Sequence, residues 1–206
     1  MKKLLLAALT TAVISAPVWA EDTRTIEQSF NLENSTELEI DFPVGSLELT
    51  SYDGDQIQVT IRLEPKDNDG WFTDKVDLSA VQLKSSRQRQ ELSLSIDDDN
   101  LEQTWEVKVP KSMRLDVEVG VGKIEIQALE NTADVEVGVG KVRIDTAIDD
   151  FKQVNLESGV GKTSLSGFAG KAQSHKKMVS SQTEYFGSGQ YSLEVEVGVG
   201  NIKVRH

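Results

Sequence analysis

Cysteine is absent from the 206 residues, which excludes a disulfide framework and thiolate chemistry alike. Aromatic side chains are scarce, at 6%, so whatever core the chain builds is aliphatic. Positive charge is the minority sign: 22 Lys and Arg stand against 34 Asp and Glu, for a formal charge of −12. That balance argues against nucleic acid and anionic lipid as partners. Beyond residue 20 no apolar run approaches the roughly 20 residues of a bilayer-spanning helix, and the closing segment Ile202 to His206 lacks the terminal aromatic expected of an outer-membrane barrel.

What is present begins with an address. Met1, Lys2 and Lys3 are followed by an apolar stretch from Leu4 to Ile14, and Pro17, Val18, Trp19 and Ala20 lead into the acidic Glu21. This is the layout of a cleavable secretory signal over residues 1–20, with cleavage expected between Ala20 and Glu21 and no cysteine behind it to carry a lipid. The mature domain is then 21–206. Losing Lys2 and Lys3 takes the charge from −12 to −14. The expected compartment is the periplasm, with full secretion second.

The main signal is a repeat. EVGVGKIEI begins at Glu118, EVGVGKVRI at Glu136, ESGVGKTSL at Glu157 and EVGVGNIKV at Glu196, and a fainter copy, DFPVGSLEL, begins at Asp41. Apolar residues alternate with polar ones, the period of a pleated strand. Leu115, Val117, Val119 and Val121 are expected on one inward face. The phase slips between Val121 and Ile124, so the backbone should turn a corner at Gly122 and Lys123, where glycine tolerates conformations that side chains resist.

The second glycines fall at Gly45, Gly122, Gly140, Gly161 and Gly200, spaced near multiples of about 19 residues, in the range of stacked repeats. The expectation is an all-β, single-domain β-solenoid of short rungs with about 18–21 residues per coil, stacked about 4.8 Å apart over a narrow Val and Ile core. Strand candidates at Ile57 to Leu63, Val76 to Leu83, Leu92 to Ile96 and Trp105 to Val109 would supply the rungs missing between Gly45 and Gly122. Lys66 to Lys75 and Gly167 to Gly189 read as projecting loops.

The order NSTELEIDFPVGSLELTSYDGDQIQV, then WEVKVPKSMRLDVEVGVGKIEI with its Val109–Pro110 pair, then the VEVGVGK strands, resembles the bacterial putative-adhesin family, a domain of unknown function built from β-strand repeats. The resemblance spans nearly the whole mature chain. It implies an exported envelope protein with a solenoid-like fold, and it brings no catalytic residues to transfer.

Several chemical motifs dissolve on inspection. Gly159 to Thr163 ends like a phosphate-binding loop, but Leu156 stands where the first glycine should be and no helix can open among Ser164 to Gly170. Asp67 to Gly70 resembles part of a calcium loop, yet Pro65 and Val76 occupy ligand positions. Asp97, Asp98 and Asp99 read as a solvated turn. His175 and His206 stand alone, and no serine sits in a nucleophile elbow. No cofactor or metal is called for.

The repeat itself generates a surface. In-register rungs would align Glu118, Glu136 and Glu157 in an outward carboxylate ladder, with Glu196 and Asp41 further along. Lys123, Lys141 and Lys162 would form an ammonium ladder, and a bare stripe of Gly120, Gly138 and Gly159 would run between them. The ladders can simply compensate one another, or the stripe can admit a partner chain or glycan to the backbone. Trp71 and Phe72 either anchor a partner or plug the core. The function expected is a non-catalytic envelope scaffold or binding module whose partner is an envelope protein or glycan, with self-association through end rungs restrained by Lys203, Arg205 and His206. The alternatives are a carbohydrate-active β-helix enzyme and a periplasmic chaperone.

Overall fold

The computed structural model describes residues 23–66 and 77–206, so the predicted signal at 1–20 and the Trp71–Phe72 turn lie outside the described residues. Twelve strands form one mixed sheet: β1 (Arg24–Asn31), β2 (Glu37–Tyr52), β3 (Gln56–Pro65), β4 (Lys84–Gln88), β5 (Glu91–Ser95), β6 (Leu101–Pro110), β7 (Arg114–Leu129), β8 (Ala133–Thr146), β9 (Gln153–Ser166), β10 (Gln173–Lys177), β11 (Ser180–Phe186) and β12 (Ser192–Arg205). A single 3-10 turn, Leu78–Ala80, interrupts them among the described residues. The all-β expectation holds.

Each repeat copy is one long strand of two limbs. In β7 the first limb buries Leu115, Val117 and Val119 and the second buries Ile124 and Ile126. Leu129 ends the second limb, and only three residues separate it from Ala133, where the next first limb starts. Four peptide steps reach no farther than about 14 Å, so the limbs fold toward each other and enclose the core in the angle between them.

The stack is assembled in strict register. Gly45 pairs with Gly122, Gly122 with Gly140, Gly140 with Gly200 and Gly200 with Gly161. Core positions align with them: Ile40, Val117, Val135, Val195 and Leu156 form one buried row and Leu47, Ile124, Val142 and Ile202 another. Beta-branched side chains suit such rows because they fit a pleated, buried surface.

The order of the rungs differs from a solenoid of one coil per repeat. β12 lies between β8 and β9, with parallel pairing to both, so the fourth copy in the chain is the outermost of the five. The 39 residues from Gly161 to Gly200 hold no extra coil; they hold the β10–β11 hairpin, which pairs antiparallel with the first limb of β9. Nor do rungs fill the interval from Gly45 to Gly122, since those two glycines are direct neighbours. β5 and β6 instead form one further parallel rung on the other side of β2, split at its corner. There the acidic turn Asp97 to Asn100 replaces the glycine bend, and buried Gln103 bridges it, donating from Nε2 to the Ile96 carbonyl at 2.9 Å and accepting from Trp105 Nε1 at 3.0 Å. Antiparallel strands finish both ends, β4 on β5 and β3 and β1 on β6 at one, β10 and β11 at the other.

The core changes character along the stack. At the corner row it runs from Phe42, stacked on Trp105 at 5.4 Å between ring centroids, through Val119, Val137 and Val197 to Ser158, whose hydroxyl donates to the Gly200 carbonyl at 2.9 Å. The last rung also turns Thr163 inward, where Ser181 and Thr183 hydroxyls meet it at 2.8 and 2.7 Å.

The rung order is directly testable in a protein with no native cysteine. A Glu136→Cys/Glu196→Cys pair sits in register on adjacent rungs, within disulfide reach, and should close under mild oxidation. Glu136→Cys/Glu157→Cys lies two rungs, or about 10 Å, apart and should not; closure of that pair in place of the first would contradict the order.

Candidate functional site

The corner is built from the same five positions on each rung of the repeat, with Pro43 and Ser46 substituted on β2 and Asn201 on β12. In β7 these are Glu118, Gly120, Val121, Gly122 and Lys123, with Val119 inside. Both glycines are set by the stack itself. A Cβ on Gly138 would lie 2.6 Å from the Gly120 carbonyl oxygen, and one on Gly200 would lie 1.7 Å from that of Gly140, at a φ of +154°. The glycine stripe is therefore the place where neighbouring backbones touch, and the need for it arises before any partner does. In space it runs Gly120, Gly138, Gly198, Gly159, with Gly198 of β12 inserted.

The valine between the glycines departs from expectation. The strand pattern predicts Val121, and by the repeat Val139, Val160 and Val199, on the inward face, yet each is 47–49% exposed. The inward phase ends at Val119 and resumes at Ile124, so the slip occupies Gly120 to Lys123 and carries Val121 to the outside of the bend. Register aligns Val44, Val121, Val139, Val199 and Val160 along the apex. The β10–β11 turn extends the line: the Val179 carbonyl accepts from the Gly161 N–H at 2.9 Å, which sets Val179 beside Val160, and Met178 stands next to it. Val179 and Met178 are 59% and 99% exposed. Of the seven large hydrophobic side chains exposed among the described residues, six lie on this ridge, and Phe186 is the exception.

Charge changes sign across the ridge. On the first-limb side, Asp41, Glu118, Glu136, Glu196 and Glu157 stand in register, and behind them Glu39, Asp116, Asp134 and Glu194 form a second row. The predicted ladder of Glu118, Glu136 and Glu157 is present, with Glu196 inserted between its second and third members. Partial burial first, and neighbouring carboxylates second, push Glu118, Glu196, Asp116 and Asp134 above the usual carboxylate range. Across the apex, Lys123 and Lys141 are adjacent and Asn201 separates Lys141 from Lys162. Arg143, Lys203 and Arg205 extend this basic side, where Lys123 meets Glu125 at 2.9 Å and Arg205 donates to Asp145 at 2.9 Å. The sequence puts Glu196 further along the ladder; its place between Glu136 and Glu157, and with it the Gly198 and Asn201 contributions, was not readable because near-identical motifs carry no information about which copy lies beside which.

Other candidate chemistry finds structural explanations. Lys162 and Thr163 lie within β9, whose strand continues on both sides of the corner, so no phosphate-binding helix follows. Ser174 joins the inward hydroxyl cluster through Thr183 at 3.1 Å, while strand alternation turns His175 to the opposite face. Asp150 is occupied: Tyr185 donates to it at 2.5 Å and Ser188 through both its N–H and its hydroxyl, and these bonds, the tyrosine first, hold its carboxyl below the usual range. No group of three or more metal-ligating side chains converges among the described residues.

The acid ladder has a measurable signature. A carboxyl with a raised folded-state value holds its proton more tightly when folded, so stability falls as pH rises from the ordinary value of 4.5 through the raised one. Glu196→Gln removes that repulsion from Glu136 and Glu157. It should stabilise the chain at pH 7 by about 0.5 kcal/mol, and denaturant titrations should show the gain vanish below about pH 4; a gain independent of pH would contradict the ladder.

No curated protein matches the chain in sequence. Among solved structures it is similar to a putative cell adhesion protein from Clostridium sporogenes, at 13% identity and a TM-score of 0.54 over 89% of this chain and 99% of that one, a likeness of fold. A putative adhesin from Bacteroides fragilis shares 13% identity over 88% of this chain and 97% of that one, at a TM-score of 0.27. A putative lipid binding protein from Parabacteroides distasonis shares 7% over 89% and 97%, at 0.31. Superpositions that loose carry no argument. The family model for the N-terminal domain of toast_rack, DUF2154, matches residues 15–166, more than half of the chain and three of the four strong repeat copies, and the protein belongs to that family.

Proposed function

We propose that this chain is an exported, non-catalytic binding module of the cell envelope that works in the periplasm and recognises a partner through its corner ridge. The observation that carries this reading is the concentration of exposed apolar side chains on one line, Val121, Val139, Val199, Val160, Val179 and Met178. Scattered exposed valines need no explanation, whereas a contiguous apolar strip rimmed by charge is the anatomy of a contact surface. The nine residues singled out in the sequence, Glu118, Gly120, Lys123, Glu136, Gly138, Lys141, Glu157, Gly159 and Lys162, supply its two rims and the spine beneath it, and the valines supply its apolar centre.

The rest of the surface supports a non-catalytic role. The carboxylates of the two first-limb rows follow the rungs, with Asn155 the one break in the second row, instead of gathering into a pair that flanks a cleft as sugar cleavage requires. Membership in the family of the N-terminal domain of toast_rack and a fold shared with a putative cell adhesion protein favour a scaffold or binding task.

A photoreactive residue at Val139 or Val199, in the protein expressed in its own cells, should yield discrete cross-linked products. The same residue at Gln58 or Thr60, on the far part of the second-limb face, should yield none. Equal labelling from all four positions, or none from the ridge, would contradict the reading.

A further inference from the structure

Resting on that reading of the ridge, we propose that its occupant is the ridge of a second copy of this chain, docked about a two-fold axis that runs along the stack. The argument is one of sign. All the rungs that form the corner run parallel, so the motif carboxylates Asp41, Glu118, Glu136, Glu196 and Glu157 lie on one side of the apex and Lys123, Lys141 and Lys162 on the other. Two such ridges can meet apex to apex about two kinds of two-fold axis. An axis perpendicular to the stack sets acid row against acid row and lysine row against lysine row. An axis along the stack keeps the rungs level and exchanges the sides, so that Glu136 of one copy faces Lys141 of the other, and Glu157 faces Lys162, on both flanks of a shared valine seam. Among the described residues Lys141 and Lys162 have no acidic partner within their own chain, and the acid row opposite is itself crowded by like charge. Docking about this axis relieves both conditions at once, and it is isologous, so the assembly closes as a dimer.

The size of the contact fixes its strength. Six levels from Val44 to Val179 span about 24 Å at strand spacing, and a strip about 10 Å wide buries on the order of 500 Å² over the two copies. That is well under the roughly 1,200 Å² of a stable pair. The dimer is accordingly weak and reversible, and salt-sensitive because its rims are ionic.

Sedimentation equilibrium of the purified chain, from micromolar to about millimolar concentration at low salt, should show the average mass climbing toward twice the monomer, with at least a fivefold loss of association on going from 50 to 500 mM NaCl. Val139→Ser/Val199→Ser, at positions half exposed in the monomer, should weaken association at least tenfold with an unchanged circular dichroism spectrum. Glu136→Lys should weaken it, and Glu136→Lys/Lys141→Glu should restore it, since each reversed charge then meets its reversed counterpart. Strengthening by Glu136→Lys alone would overturn the axis, because only acid facing acid predicts it. A chain that stays monomeric, or a dimer indifferent to the valines, would overturn the second copy as occupant. If the ridge still cross-links to another protein in cells, the binding reading stands without this inference; if it cross-links to nothing, both fall.

Discussion

The architecture depends on backbone contact at the corner. Where each rung bends, the carbonyl oxygen of the preceding rung in the stack occupies the space that a Cβ would fill, at Gly122, Gly140, Gly200 and Gly161 in turn. Glycine there lets neighbouring strands keep their hydrogen-bonded spacing around a bend that would otherwise splay them. Because the corners stack, the limbs on either side stack as well, and the buried rows of Val, Ile and Leu follow from that alignment. The same constraint writes the outer surface: one acid, one apical valine and, on three rungs, one lysine at each level. Core and outer ridge are two consequences of a single repeated bend.

Much of this was legible in the sequence. Period-two alternation identified the repeat strands, though not β10 and β11, which lie in the stretch read as a loop, and it misassigned residues 77–83, which hold a 3-10 turn and no strand; the recurrence of glycine after valine identified the corner and the residues that would stand in register across it. Glu118, Glu136, Lys123 and Lys141 align as their motifs imply. The order of the rungs was not legible, because the copies at Glu136, Glu157 and Glu196 are nearly interchangeable as neighbours, and the chain spacing of 39 suggested an added coil where a hairpin lies. The side of the sheet on which β5 and β6 pair was equally hidden, since Gln103 performs at their corner the bridging that the glycine motif elsewhere makes unnecessary.

Val121 and its counterparts teach a narrower lesson. Residue type assigned them to the core, and parity allowed it, since the slip could sit on either side of them. The corner itself decides: Gly120 and Val121 both turn outward because a bend presents consecutive residues to its convex side. An apolar residue that recurs on four rungs at a position where the fold exposes it is the feature on which the proposed contact surface rests. The charged rows beside it give that surface a direction, acidic on the first-limb flank and basic on the second.

The most direct test of this account is the unfolding free energy of Gly200→Ala. Its Cβ would meet the Gly140 carbonyl oxygen at 1.7 Å in a backbone conformation with φ of +154°, so overpacking and backbone strain together should cost about 3 kcal/mol or more in denaturant titration. A variant as stable as the parent chain, to within a few tenths of a kcal/mol, would mean that neighbouring rungs do not touch at their corners and would contradict the stacked bend on which the core, the charged rows and the ridge all rest.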